Sequence, residues 1–157
     1  MEPFAVVTHE RDGYVVSTDP ARLDLDVVHR FLSEDSYWAR GVPRDVVERS
    51  VRYALPFGLY HRAPEGEAQV GFARVVTDRA TFAYLADVFV LDAHRGRGLG
   101  QWLTACVLAH PDLQGLRRIL LTTQDAHGLY EKAGFVRAPF PERFMVIDRP
   151  DLYTRGR

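Results

Sequence analysis

The chain has 157 residues and a mass of 17.9 kDa, with 46% hydrophobic and 26% charged residues. These values predict one globular domain over 1–157 and exclude a disordered tail, a collagen-like repeat or a small disulfide scaffold. Twenty basic residues against 21 acidic ones leave a net charge of −1, without the basic excess of a dedicated nucleic-acid binder. All the basic residues are Arg except Lys132. Arg forks suit carboxylate and phosphate partners, but genome composition is the better account of such usage.

The single cysteine, Cys106, excludes an internal disulfide. No apolar run approaches the roughly 20 residues of a membrane span, and the first ten residues lack the basic start and apolar centre of a secretory signal. The expectation is a cytoplasmic protein with neither a membrane nor a nucleic-acid partner.

In chain order, residues 14–18 read as a short strand, with residues 4–8 as its partner across the turn at Arg11-Asp12-Gly13. Residues 24–33 read as a helix with Leu25, Val28, Phe31 and Leu32 as its apolar stripe. Residues 35–42 read as a loop. Pro43 opens a second helix to about Leu55, and Pro56 stops it. Residues 57–61 and 70–76 form a hairpin across the polar stretch 63–67. The run Phe82–Val90 is apolar nearly throughout, as expected of a central strand covered on both faces. A glycine-rich segment follows, then a helix to about His110 in which Leu99, Trp102, Leu103, Cys106 and Val107 fall on one face. Residues 118–122 form a strand, 125–133 a short helix that Gly134 terminates, and 135–136 and 144–147 closing strands. Strand, helix, strand in that order implies a right-handed crossover joining parallel strands, hence an α/β layer with helices on both faces.

The segment Arg95-Gly96-Arg97-Gly98-Leu99-Gly100 joins a strand end to a helix start. Glycines let the backbone turn tightly and approach a ligand. Free amides at a helix N-terminus attract anions, and Arg95 and Arg97 add charge. The segment therefore reads as a phosphate or pyrophosphate cradle, or else as a turn that serves only the chain reversal. It lacks the Gly-x-x-x-x-Gly-Lys-Ser/Thr of a nucleotide P-loop, and both its spacing and its late position disfavour a dinucleotide fold. Farther on, Gly128-Leu129-Tyr130-Glu131-Lys132-Ala133-Gly134-Phe135 places a tyrosine on the short helix after the next strand.

With these two segments in this order, the chain resembles the acetyl-CoA-dependent N-acetyltransferases of the GNAT superfamily. Arg95, Gly98 and Gly100 match that family's pyrophosphate-loop pattern, Gln/Arg-x-x-Gly-x-Gly/Ala. The strand carrying Val88, Phe89 and Val90 is similar to the one that pairs with pantetheine. Residues 129–135 match the second signature, and the order of elements fits over about residues 14–147. Many relatives carry an Asn seven residues before the tyrosine, where this chain has Thr123. The run 35–41, together with Pro141-Glu142-Arg143-Phe144, is similar to a subset of small bacterial members.

The resemblance implies a central mixed sheet of about seven strands flanked by about four helices. It implies acetyl-CoA as cosubstrate and transfer of acetyl to a primary amine of a small molecule or protein, by direct attack on the thioester. Tyr130 becomes the general acid toward the coenzyme A sulfur. An amide near Val88 or Phe89 polarises the carbonyl. Arg95, Gly96, Arg97, Gly98, Leu99, Gly100 and Gln101 hold the pyrophosphate, and Val88, Phe89, Val90 and Thr123 face pantetheine. Asp87 is a carboxylate inside an apolar run, so it is either the base for the amine or one half of a structural pair. Tyr37 and Trp38 fall where the family places part of the acceptor site; they are walls for a cationic amine or packing for the loop. No metal-ligand spacing is present, and Cys106 reads as a core thiol. The competing reading is a non-catalytic acyl-CoA-binding or sensor module of the same fold. Homodimers are common in the superfamily and remain an option here.

Overall fold

The computed structural model describes residues 2–155. Six strands form one mixed sheet in the order β1-β2-β3-β4-β5-β6. They are β1 (Thr8–Arg11), β2 (Tyr14–Ser17), β3 (Leu55–Ala63), β4 (Gly66–Thr77), β5 (Phe82–Val90) and β6 (Arg118–Leu120). All neighbours are antiparallel except β5 and β6, which are parallel. The parallel pair is joined through α3 (Leu99–Leu108), the crossover implied by the sequence. The other helices are α1 (Leu25–Arg30), α2 (Arg44–Arg52) and α4 (His127–Lys132).

The apolar stripes decide which face each helix covers. Leu99, Leu103, Cys106 and Val107 of α3 and Tyr130 of α4 pack with Leu55, Phe57, Val75, Ala83 and Leu85 on one side of the sheet. Val28 of α1 and Val47 and Val51 of α2 pack with Phe72 and Phe89 on the other. Burial pushes the Cys106 thiol up to about 11, as expected of a core thiol. The Asp24 side chain caps α1 by accepting from the amides of Asp26 and Val27. Gly134, at a φ of 103°, ends α4.

Several expectations from the sequence need correction. The first strand is Thr8–Arg11 rather than 4–8, because the two-residue Asp12-Gly13 turn (φ 52° and 82°) fixes the register at Arg11↔Tyr14. Pro56 lies within β3 instead of stopping a helix; β2 pairs with β3 only from Gly58 onward, so no partner on that side needs the missing amide. The sheet has six strands, not about seven. Residues 135–136 and 144–147 are not strands. Pro139 and Pro141 remove two donors, and the 3-10 turn Pro141–Arg143 interrupts the run between them and residue 144. Strand propensity in 144–147 does not by itself produce pairing.

Gly71 is the tightest point between β3 and β5. A Cβ there would lie 2.8 Å from Leu59 Cδ2 and 2.8 Å from the Phe89 carbonyl oxygen. The carbonyl belongs to a paired strand and cannot yield as a side chain can. Gly71→Ala is therefore expected to destabilise the fold by about 1–3 kcal/mol, read as a lower urea midpoint with an unchanged m-value.

Candidate active site

The site begins where the sheet opens. β5 and β6 are paired only at Phe82↔Arg118, Ala83↔Ile119 and Tyr84↔Leu120. Beyond Tyr84 the strands part, so the outer edge of β5 from Leu85 to Val90 has no strand beside it. Its backbone groups there are open to an extended ligand. Val88, Phe89 and Val90 lie on this stretch.

An extra residue shapes the same stretch. Phe72 pairs with Phe89 and Arg74 with Ala86, so β5 has one residue more than β4 between these pairs. At this bulge Asp87 has φ 56°, a left-handed conformation uncommon outside glycine. Its carboxylate is held at both oxygens. Arg74 Nε donates to Oδ2 and Trp38 Nε1 donates to Oδ1, each at 2.9 Å. The side chains of Arg74 and Asp87 are 18% and 11% exposed, so this is a largely desolvated, charge-assisted pair.

Trp38 comes from the segment after α1, where the helix widens into a single π-turn, Phe31–Asp35. There the Ser36 amide donates to the Phe31 carbonyl, and the Ser36 hydroxyl donates to Leu32 O. Phe31 stacks on Phe89 at 4.0 Å between centroids. The turn presents Tyr37 and Trp38 edge to face, 5.0 Å apart. The Tyr37 hydroxyl accepts from the Gln124 amide at 2.8 Å. The loop thus reaches both β5 and the segment leading into α4, spanning the opening between them.

Tyr130 projects from α4 on the far side. It is 8% exposed and lies edge to face with Phe135. Burial, with Tyr37 and Asp125 nearby, pushes its phenol up to about 12. The hydroxyl makes no hydrogen bond among the described residues, and Tyr130 lines a cleft of about 1070 Å³ whose walls include Thr123 and His127. Thr123 is occupied locally: its hydroxyl accepts from the Ala126 amide at 3.0 Å, forming the turn that launches α4.

The glycine segment forms a second, smaller hollow of about 350 Å³, lined by His94, Arg95, Gly96, residues 98–101, Leu129 and Lys132. Gly96 and Gly98 have φ of 78° and 74°. Gly98 is the N-cap of α3 and brings no capping side chain, so the amides of residues 96–101 have no acceptor among the described residues. No carboxylate lines this hollow. The donor set fits a diphosphate. Gly100 packs at ordinary distance against Leu129.

Arg95 does a different job from the one its charge suggests. Its Nε donates to the Val90 carbonyl at 2.9 Å and its Nη1 pairs with Asp92 at 2.7 Å, so it ties the loop to the end of β5. Gln101 lines the hollow, and the exposed Arg97 side chain makes no hydrogen bond or ion pair among the described residues. His94 is hydrogen-bonded through Nδ1 to the Tyr14 hydroxyl at 2.8 Å. Burial, His61 and Arg97 lower its pKa.

The structure therefore groups Asp87, Trp38 and Tyr37 at one edge of the opening, Tyr130 and Thr123 at the other, and the glycine loop below. Sequence reasoning missed Arg74, Gln124, and Tyr14 with His94. Arg74 had the clearest signal, as a cation within an apolar strand one hairpin away from Asp87. Among the described residues no cluster suited to a metal ion is present, and no helix is long and apolar enough to cross a membrane.

Comparison with known proteins agrees with this geometry. Residues 57–137 match the family model of the acetyltransferase (GNAT) domain. A candidate acetyltransferase of Gibberella zeae is 37% identical over 140 residues, covering 78% of this chain and 78% of that protein. A crystal structure of a candidate GNAT acetyltransferase from Xanthomonas campestris superposes with a TM-score of 0.85 at 48% identity, covering 92% of this chain and 99% of that one. An acetyltransferase structure from Clostridium acetobutylicum, solved with acetyl-CoA, shares the fold at a TM-score of 0.59 and 11% identity, covering 86% of this chain and 94% of that one. With its splayed parallel strands, its unpaired loop amides and these relatives, the chain belongs to the GNAT acetyltransferase family.

Proposed function

We propose that the protein is an acetyl-CoA-dependent N-acetyltransferase that moves acetyl to a primary amine by direct attack on the thioester. The observation that carries this reading is Tyr130. It is a buried, protonated phenol with no hydrogen-bond partner among the described residues, and it lines the cleft beside the splayed strands.

The bound cosubstrate supplies a thioester carbonyl and a thiolate leaving group. The chain's part is to position and to move protons. Free amides of residues 96–101 hold the diphosphate, with Arg97 and Gln101 at the rim. The open edge of β5 at residues 88–90 receives the pantetheine arm as an added strand, and Thr123 borders it. An amide at Val88 or Phe89, just after the bulge, donates to the carbonyl oxygen as negative charge grows there. The amine lone pair forms the new C–N bond, the C–S bond breaks, and Tyr130 gives its proton to the departing sulfur. The ammonium formed by attack loses its proton to water or to a carboxylate.

Both oxygens of Asp87 are engaged, which favours its role as the anchor of the bulge and of Trp38 over that of base. Tyr37 and Trp38 form the acceptor side of the opening and suit a cationic amine with apolar flanks. A small-molecule amine and a protein amino group both meet that description.

Tyr130→Phe is expected to lower kcat about 10²–10⁴-fold while the Kd for acetyl-CoA changes little. Unchanged turnover removes Tyr130 from the proton-donor role. Because burial raises this phenol to about 12, the acid form persists throughout the neutral range, and deprotonation removes it only as pH rises through that value. The wild-type pH–rate profile should therefore show no loss from Tyr130 between pH 6 and pH 10, both values well below about 12.

Gly98→Glu places a carboxylate in a left-handed position at the cradle and is expected to abolish coenzyme A binding in calorimetry. Asp87→Asn should leave the acidic limb of the pH–rate profile in place and lower kcat by misplacing the bulge; a shifted limb would instead mark Asp87 as the base. Thiol release from acetyl-CoA across an amine panel separates an enzyme from a non-catalytic acyl-CoA-binding module, which would bind coenzyme A yet stay silent toward every amine.

A further inference from the structure

The glycine-loop pattern opens at Arg95, yet the residue before it, His94, also lines the hollow. His94 ends the 3-10 turn Asp92–His94, where its amide donates to the Leu91 carbonyl at 2.9 Å. Two strands hold its ring. Tyr14 and His61 are register partners on β2 and β3, with their rings 4.7 Å apart between centroids. The His94 ring stands edge to face with Tyr14 at 5.7 Å and tilted over His61 at 5.0 Å.

The Tyr14 hydroxyl and His94 Nδ1 share a hydrogen bond of 2.8 Å. Its direction follows from what else the two groups touch. Tyr14 is 6% exposed and belongs to the core on the α3 side. Its hydroxyl has no other hydrogen-bond partner among the described residues. Were it to accept from Nδ1–H, its own proton would be left without an acceptor in a largely apolar setting, which is costly. When it donates, both groups are satisfied: Nδ1 accepts, and the ring proton sits on Nε2. A proton on both nitrogens is disfavoured by burial and by the nearby His61 and Arg97.

Nε2 makes no hydrogen bond among the described residues. A neutral N–H is thus left over at a hollow whose other polar groups include the loop amides and Lys132.

We infer that His94 is a further ligand of the cosubstrate's diphosphate, donating from Nε2–H, and that Tyr14 is the positioning residue that fixes this tautomer. The inference rests on the acetyl-CoA reading above and adds to it one side-chain donor and the strand residue behind it. It also fits the commitment of the Arg95 guanidinium to Val90 and Asp92. A donor already locked in one tautomer and one ring orientation needs no rearrangement when the anion arrives. It adds a single directional contact to those of the amides.

Calorimetry on the full chain with coenzyme A tests this. His94→Leu is expected to raise the Kd about tenfold, with the same loss toward dephospho-coenzyme A, which keeps the diphosphate and lacks the ribose phosphate. His94→Gln, which retains an N–H at the end of the side chain, is expected to recover most of the affinity. Tyr14→Phe is expected to weaken binding by itself and to add nothing on top of His94→Leu. Unchanged affinity in His94→Leu overturns the inference. So does a loss confined to coenzyme A, a His94→Gln variant as weak as His94→Leu, or additive losses from the Tyr14 and His94 changes.

Should Tyr14→Phe fold poorly, nitrogen NMR of the labelled wild-type imidazole decides. The expected signature at neutral pH is a protonated Nε2 and a bare Nδ1, with the Nε2 resonance moving when coenzyme A is added. A proton on Nδ1, or an Nε2 signal indifferent to coenzyme A, overturns the inference. A wild type that binds no coenzyme A overturns the acetyl-transfer reading along with it, whereas normal wild-type binding with unaffected variants overturns this inference alone.

Discussion

The conformation of Asp87 sets the geometry of everything around it. A non-glycine residue in the left-handed region is held at a cost of order 1 kcal/mol, and here two charge-assisted hydrogen bonds from Arg74 and Trp38 offset that cost. The bulge re-aims β5 after Ala86, just past the last residue paired with β6. One carboxylate thus joins three elements: it reaches β4 through Arg74, shapes the ligand-facing stretch of β5 through its own backbone, and fixes the aromatic loop after α1 through Trp38. Loss of either donor would leave a poorly solvated charge next to strained backbone.

The two sides of the opening are built differently. On the β5 side the Asp87 carboxylate is paired at both oxygens, and Phe31 lies flat on Phe89. On the α4 side Tyr130 is buried but unpaired. A phenol without an internal partner keeps its proton available to whatever enters, whereas a carboxylate with two donors is committed to the fold. That contrast is what supports the proposed division of chemistry to one wall and positioning to the other.

The sequence made the loop, the crossover and Tyr130 legible because each depends on local rules. Glycine spacing before an amphipathic helix dictates the chain reversal and the free amides at residues 96–101. The stripe from Leu99 to Val107 dictates which face α3 buries. It did not reveal that Asp87 would be paired at both oxygens, since Arg74 is remote in sequence and meets it only through the β4–β5 register. The closing strands failed for a related reason. Residues 144–147 have strand-forming side chains, yet pairing depends on where Pro139 to Phe144 steers the chain. Pro56 misled in the opposite sense, because a proline is tolerated in a strand wherever one neighbour is short. The first strand begins at Thr8, four residues later than the sequence suggests, since the Asp12-Gly13 turn counts register from its own position.

Arg95 has its head committed to Val90 and Asp92, and His94 is held below its ordinary range beside Tyr14. The hollow at the start of α3 thus presents peptide dipoles beside guanidinium and ammonium groups, with a histidine whose burial disfavours its charged form. An anion held there would therefore rest chiefly on groups other than that histidine, so that on the proposed reading acidity would act on the amine more than on the hold of the diphosphate.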